Sequence, residues 1–285
     1  MTGIRLSCSS MPWGKAPLET MLAEMAQAGY DGAEANYRMG LTVPQVREMW
    51  QRHGLEWGPG YLGLPFALDE EGRAKALEET RRHVAFSREL GLTELFVAAG
   101  MTPQRKALAG HVGTEDAAPD AYVAELAGLL NEIGRLTLAE GIRICFHNHV
   151  GSVIETRDEI DRLLARTDPR FVFLGADIGH LVWGGGDAVQ FCKDYGERFI
   201  ALDVKDINPE VLAEGVAGRW SYDEFARRGI FAELGEGMVD FPAMFAVLRR
   251  QGFHGWLRVE IDVTQKATAL ESATICRNYL RNLGV

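Results

Sequence analysis

Short apolar runs alternate with longer amphipathic stretches along the chain, and the alternation repeats eight times. The apolar runs cover residues 4–8, 32–35, 55–58, 94–98, 142–146, 171–176, 199–204 and 256–261. Between them, stretches such as 17–28, 46–53, 70–90, 121–140 and 159–166 place apolar residues three and four apart, the spacing of one helix face. Runs that alternate in this way predict βα units and a parallel sheet. Gly29, Gly54, Gly91, Gly141 and Gly252 each follow a helical stretch, where a left-handed closing residue is wanted. Thr156-Arg157-Asp158-Glu159 reads as a capping box that opens a helix. Eight repeats in 285 residues predict an α/β fold, a single (β/α)8 TIM barrel spanning 1–285. The longest irregular stretch, around 207–239, carries Trp220, Tyr222, Phe225 and Phe231 and is expected to fold over the barrel mouth like a lid.

Composition narrows the partners. A net charge of -10 repels phosphate backbones and anionic surfaces, so neither nucleic acid nor membrane is expected as a partner. The segment 1–7 lacks a cationic stretch followed by an apolar one, and no run reaches the length of a spanning helix, so a soluble cytoplasmic protein is expected. Cys8, Cys145, Cys192 and Cys276 are far apart without CxxC spacing, which argues against a zinc knuckle or disulfide framework. Barrels with apolar outer helices often pair, which leaves a homo-oligomer open.

Chemistry gathers at the ends of the later runs. His147, Asp177, Asp203 and Glu260 stand at corresponding tips of strands five to eight, where barrel enzymes assemble their sites. One imidazole and three carboxylates carry a formal charge of -3 and demand a cation. Such a donor set suits a divalent ion such as manganese, cobalt or magnesium better than structural zinc. His149, two beyond His147, is expected on the same side as that residue. His180, three beyond Asp177, is placed to return over the site in a turn. Lys205 is a candidate to polarise a carbonyl or neutralise an enolate. Glu34 and Glu236 are candidates for general base or substrate-hydroxyl ligand. Trp13, Tyr61, Trp183 and Trp220 fall in predicted loops and suit a wall for an uncharged polyol, Trp13 being the substrate-binding candidate. Gly184-Gly185-Gly186-Asp187 has no phosphate-loop lysine and reads as a turn with Asp187 capping a helix.

Asp177-Ile178-Gly179-His180, Val204-Lys205-Asp206 and Val259-Glu260-Ile261-Asp262 resemble motifs of the xylose-isomerase-like sugar isomerase and epimerase superfamily. The likeness covers nearly the whole chain. It is nearest to inosose dehydratases in Ser10-Met11-Pro12-Trp13, Phe146-His147-Asn148-His149-Val150-Gly151, and the stretches 229–237 and 252–257. Members of the superfamily usually carry Glu, Asp, His and Glu at the four ligand positions, so histidine and acid have traded places here with ligand types and total charge kept. The DNA-binding endonuclease branch uses more histidines around several zinc ions, and the acidic charge speaks against it.

The resemblance implies a metal-dependent dehydratase acting on a keto-polyol such as 2-keto-myo-inositol, by α-proton abstraction and β-hydroxyl elimination. Glu260 is then metal ligand and candidate base, with His180 or His149 as acid. Keto-sugar epimerisation or isomerisation, and elimination from a 3-keto glycoside, begin with the same proton transfer. A metal-free sugar-binding barrel is the alternative without catalysis.

Overall fold

In the computed structural model, residues 3–285 are described. Met1 and Thr2, which begin the segment where no leader is expected, lie outside them. All eight apolar runs fall on barrel strands. These are β1 (Ile4–Cys8), β2 (Gly32–Glu34), β3 (Glu56–Gly58) continued past Pro59 as β4 (Gly60–Gly63), β5 (Glu94–Ala98), β6 (Arg143–His147), β7 (Val172–Leu174) and β8 (Ala201–Val204). A two-stranded ribbon follows, β9 (Asp206–Ile207) with β10 (Phe231–Ala232), and β11 (Gly255–Val259) completes the barrel.

Hydrogen bonding runs in parallel through the order β3-β2-β1-β11-β8 and, separately, β4-β5-β6-β7. Pro59 has no N–H to donate, and it separates the halves of the third stave, so one half pairs with β2 and the other with β5. Parallel bridges Leu174–Phe199 and Asp177–Asp203 join β7 to β8 and close the ring. This puts Tyr61 on a strand, where a loop was expected.

Outer helices follow the strands in turn: α1 (Leu18–Ala28), α2 (Val43–Arg52), α3 (Glu70–Leu90), α5 (Asp120–Leu138), α6 (Arg157–Leu164), α8 (Ala188–Tyr195), α11 (Phe241–Arg250) and α12 (Ala269–Asn282). Four further helices ride on connections: α4 (Pro103–Ala107), α7 (Ile178–Trp183), α9 (Pro209–Ala217) and α10 (Tyr222–Arg227). The helix starts obey local chemistry. Thr156 caps α6 in a complete capping box, a contact worth about 1 kcal/mol. Asp187 caps α8, and all five glycines expected to close helices have positive φ. Outward strand residues such as Leu202, Leu257 and Val259 join the large core beneath the helices, while Phe96, Cys145, Ile200, Ala201 and Trp256 pack inside the barrel. All four cysteines are free and buried. No helix among the described residues is long and apolar enough to cross a membrane.

The 207–239 stretch is more regular than its sequence predicts. It forms α9 and α10, capped by Asn208 and Ser221, and returns through the β9–β10 ribbon. The buried Asp206 carboxylate ties down its far end by accepting from the N–H groups of Gly235, Gly237 and Val239. Short helices escape a periodicity search because each presents barely two turns.

Candidate active site

The C-terminal strand ends converge as barrel geometry requires. His147 ends β6, Asp177 follows β7 and caps α7, Asp203 lies on β8, and Glu260 follows β11. A cavity of about 440 Å³ opens above them, lined at its floor by Glu34, His147, His149, Arg258, Glu260 and Asp262. Ligand atoms of His147, Asp177 and Asp203 lie within 4.8 Å of one another, and those of His149, His180 and Asp262 form a second such group.

Two buried cations are built in among these acids, Arg258 lining the cavity and Lys205 beneath it. Lys205 Nζ lies 3.0 Å from Asp177 Oδ2, 3.2 Å from Glu260 Oε1 and 2.6 Å from Asp262 Oδ1. Gly179 makes room for it, since a Cβ there would meet the lysine stem at 2.7 Å. Burial works against the Lys205 charge, but Asp177, Asp262 and Glu260 more than offset it and raise its pKa well above the ordinary lysine value. Arg258 forks onto both oxygens of Asp203, and its Nη1 reaches Glu34 Oε2 at 3.1 Å while Nη2 lies 3.3 Å from Glu260 Oε2. Five carboxylates, Glu34, Asp177, Asp203, Glu260 and Asp262, thus face two cations, a formal excess of three negative charges that burial resists by raising the pKa of Glu34, Asp177 and Asp203.

That excess decides whether a divalent ion suits the site, because buried charge without compensation is costly. Asp177 Oδ2 is buried and makes no hydrogen bond, although Lys205 stands near it. Burial, only partly countered by Lys205, pushes the Asp177 pKa up to about 6. His147 Nδ1 lies 3.2 Å from the Gly175 carbonyl, the contact of an Nδ1–H donor, which directs the bare Nε2 to a point 4.0 Å from Asp177 Oδ2. Burial, followed by the Arg258 charge, holds His147 neutral, the form that ligates. A buried carboxylate oxygen whose nearest partner is the Lys205 ammonium, and a bare imidazole nitrogen, with Asp203 in the same cluster, fit a divalent ion.

Beside this group, His149 and His180 stack with ring centroids 3.6 Å apart. His149 Nδ1 lies 2.6 Å from the Val150 carbonyl, which leaves its Nε2 bare. His180 Nε2 is 3.1 Å from Lys205 Nζ. Both pKa values are lowered, first by burial, then by Lys205 for His149 and by the His149 neighbour for His180. Neutral imidazoles accept protons, so either one serves as acid only after it has first taken a proton. Tyr222 of α10 covers the pair and donates to Asp262 Oδ2 at 2.9 Å.

The structure separates the remaining candidates. Glu34 is in the cavity, but Trp13 is buried in a short turn, its indole N–H donating to Glu24 at 2.7 Å. Glu236 lies outside the cavity and pairs with Lys266 at 2.6 Å. Trp183 closes α7 within the core, and Tyr61 lines the cavity. Sequence reasoning passed over Arg258, whose signal is a charged residue inside an otherwise apolar strand, and Asn148, which exchanges two hydrogen bonds with the Asp177 backbone.

Glu155 supports the loop that carries His149. Its two oxygens accept the N–H groups of Gly110 at 2.7 Å and Gly151 at 2.8 Å, and burial raises its pKa to about 7. A carboxyl whose folded pKa exceeds its unfolded value binds its proton more tightly in the native state. Its stabilising contribution is therefore complete below about pH 4.5 and is lost as pH rises through about 7, a change of roughly 3 kcal/mol at most. Thermal melts across that window are expected to show a falling Tm that is flattened in Glu155→Gln; equal slopes would exclude Glu155 as the source.

The comparisons agree with this architecture. The sequence profile described as xylose isomerase-like TIM barrel matches residues 22–279. The rhizopine catabolism protein MocC of Rhizobium meliloti is 30% identical over 254 residues, covering 87% of this chain and 76% of that protein. An inosose dehydratase of Clostridium beijerinckii is 29% identical over 277 residues, covering 92% and 88%. Among solved structures, the IolI protein with a bound zinc atom superposes with a TM-score of 0.74 at 17% identity, covering 98% of this chain and 97% of that one, a likeness of fold. A profile that spans the barrel from α1 to α12, on a chain that closes eight parallel staves, places this protein in the xylose isomerase-like TIM barrel family.

Proposed function

We propose that this enzyme, of lyase or isomerase type, removes water from a keto-polyol such as 2-keto-myo-inositol. The observation that carries the reading is the excess of buried carboxylate around a bare imidazole nitrogen, set beside a pair of neutral histidines. His147, Asp177, Asp203 and Glu260 form the pool from which ligands for a divalent ion are drawn. Their oxygen-rich chemistry favours manganese, cobalt or magnesium. Such an ion, when bound, supplies Lewis-acid polarisation of a ketone and a neighbouring hydroxyl.

The chain's own groups perform the proton movements. His149, with Nε2 bare, takes the proton from the carbon beside the ketone. The Lys205 ammonium, held charged by three carboxylates, lies next to the negative charge that develops on the substrate oxygen. The imidazolium then returns its proton to the β-hydroxyl, which departs as water. Glu260 is a weaker base, because the Lys205 and Arg258 charges overcome its burial and lower its pKa. Glu34 accepts from a substrate hydroxyl. Tyr222 and the 207–239 stretch act as the lid that shields the floor from water.

Protein stripped by chelator and reloaded with manganese is expected to convert 2-keto-myo-inositol to a product lighter by one water. Exchange of the α-hydrogen with solvent without loss of water would replace this reading with isomerisation or epimerisation. Ion binding with neither event would remove keto-polyols from consideration.

A further inference from the structure

We infer that Asp203 is the dedicated counter-ion of Arg258 and stands outside the ligand set of the divalent ion, so that of the buried cluster His147, Asp177 and Asp203 only the first two are left to ligate. The inference rests on the metal-dependent reading proposed above. Both oxygens of Asp203 are engaged by one guanidinium, with Nε donating to Oδ1 at 2.9 Å and Nη2 donating to Oδ2. The fork is set by neighbouring strands, since Arg258 of β11 pairs with Asp203 of β8 in the register of the sheet. It does not depend on a loop.

Arg258 itself is immobilised. It is 2% exposed, lies over the Phe96 ring with its guanidinium carbon 4.6 Å from the centroid, and spends a third nitrogen on Glu34. An ion seated on Asp203 would meet that fixed positive charge directly. The acids are also sorted by His147. Its Nδ1 lies 3.7 Å from Asp203 Oδ2 but is turned to the Gly175 carbonyl, whereas its bare Nε2 faces Asp177. One imidazole supplies one ligating nitrogen, and here that nitrogen lies on the side of Asp177. Asp177 Oδ2 in turn meets a single close cation, the Lys205 ammonium at 3.0 Å, whereas both oxygens of Asp203 are forked by one guanidinium.

Glu260 has Arg258 Nη2 3.3 Å from one oxygen and Lys205 Nζ 3.2 Å from the other, so Lys205 still holds it when Arg258 is replaced. The swap of histidine for acid on β8 and the arginine on β11 form one internally neutral unit.

Cobalt(II) is the probe. Asp203→Leu matches the shape of the carboxylate without a donor, and Arg258→Met removes the charge it serves. The double variant is expected to bind cobalt within about threefold of the unaltered protein with the same visible absorption bands, while Asp203→Leu alone falls by roughly 10- to 100-fold, the range for an outer contact. Loss beyond roughly 100-fold in the double variant, or displaced bands, would overturn the inference and leave the metal reading standing. Should the double variant not fold, Asp203→Asn decides the matter by its bands alone: unchanged positions support the inference, shifted positions refute it. If the unaltered protein takes up no cobalt, the metal reading fails and this inference falls with it.

Discussion

Asp177→Asn is expected to leave the protein folded while it loses its divalent ion. The reason is a division of labour between the two carboxylate oxygens. Oδ1 accepts the His180 N–H at 2.8 Å and caps α7, a task that asparagine performs equally well. Oδ2 is the buried oxygen between the Lys205 ammonium at 3.0 Å and His147 Nε2 at 4.0 Å, and the amide replaces it with a neutral group. Ion retention should weaken by more than the roughly 10- to 100-fold typical of outer contacts, and turnover should fall by at least as much. Elemental analysis after dialysis, circular dichroism and turnover together provide the check. Unchanged ion content with unchanged activity would remove Asp177 from the centre.

Arg105→Met should produce the largest loss of stability away from the cavity. Arg105 is 4% exposed and forks onto Glu159 at 2.9 and 2.8 Å, with a further bond to the Asp116 carbonyl. Glu159 also accepts the N–H groups of Ala118, Glu155 and Thr156, so it joins the connection before α5 to the start of α6. Removing the guanidinium leaves a buried carboxylate without a counter-charge, which costs about 3–5 kcal/mol. For a chain of this size that corresponds to a Tm lower by roughly 10 °C at pH 7. Adding Glu159→Gln should recover part of the loss. A single variant that melts within about 2 °C of the unaltered protein would show that the pair contributes no net stability.

The relation between these sites and the chain's pattern differs from residue to residue. His147, Asp177 and Glu260 were legible because a parallel barrel presents its strand ends on one face, so tip position along the chain implies nearness in space. Asp203 was legible as a tip acid but not as the partner of Arg258. That pairing follows from sheet register, which links residues 55 apart. Trp13 and Glu236 have suitable chemistry in loops, yet a loop's direction depends on what it packs against, and these two point to Glu24 and Lys266. Tyr222 entered the site on a helix too short for periodicity to reveal.

The amino-acid pattern alone determined the βα alternation, the eight staves, the helix caps and the tip acids, because these rest on contacts between residues close in sequence. Only the tertiary structure decided which acids are already neutralised. The difference between Asp203, forked at both oxygens by Arg258, and Asp177, met at one oxygen by Lys205, arises when barrel closure brings distant strands within hydrogen-bond reach. Charge pairing falls off over a few ångströms in space and is indifferent to distance along the chain.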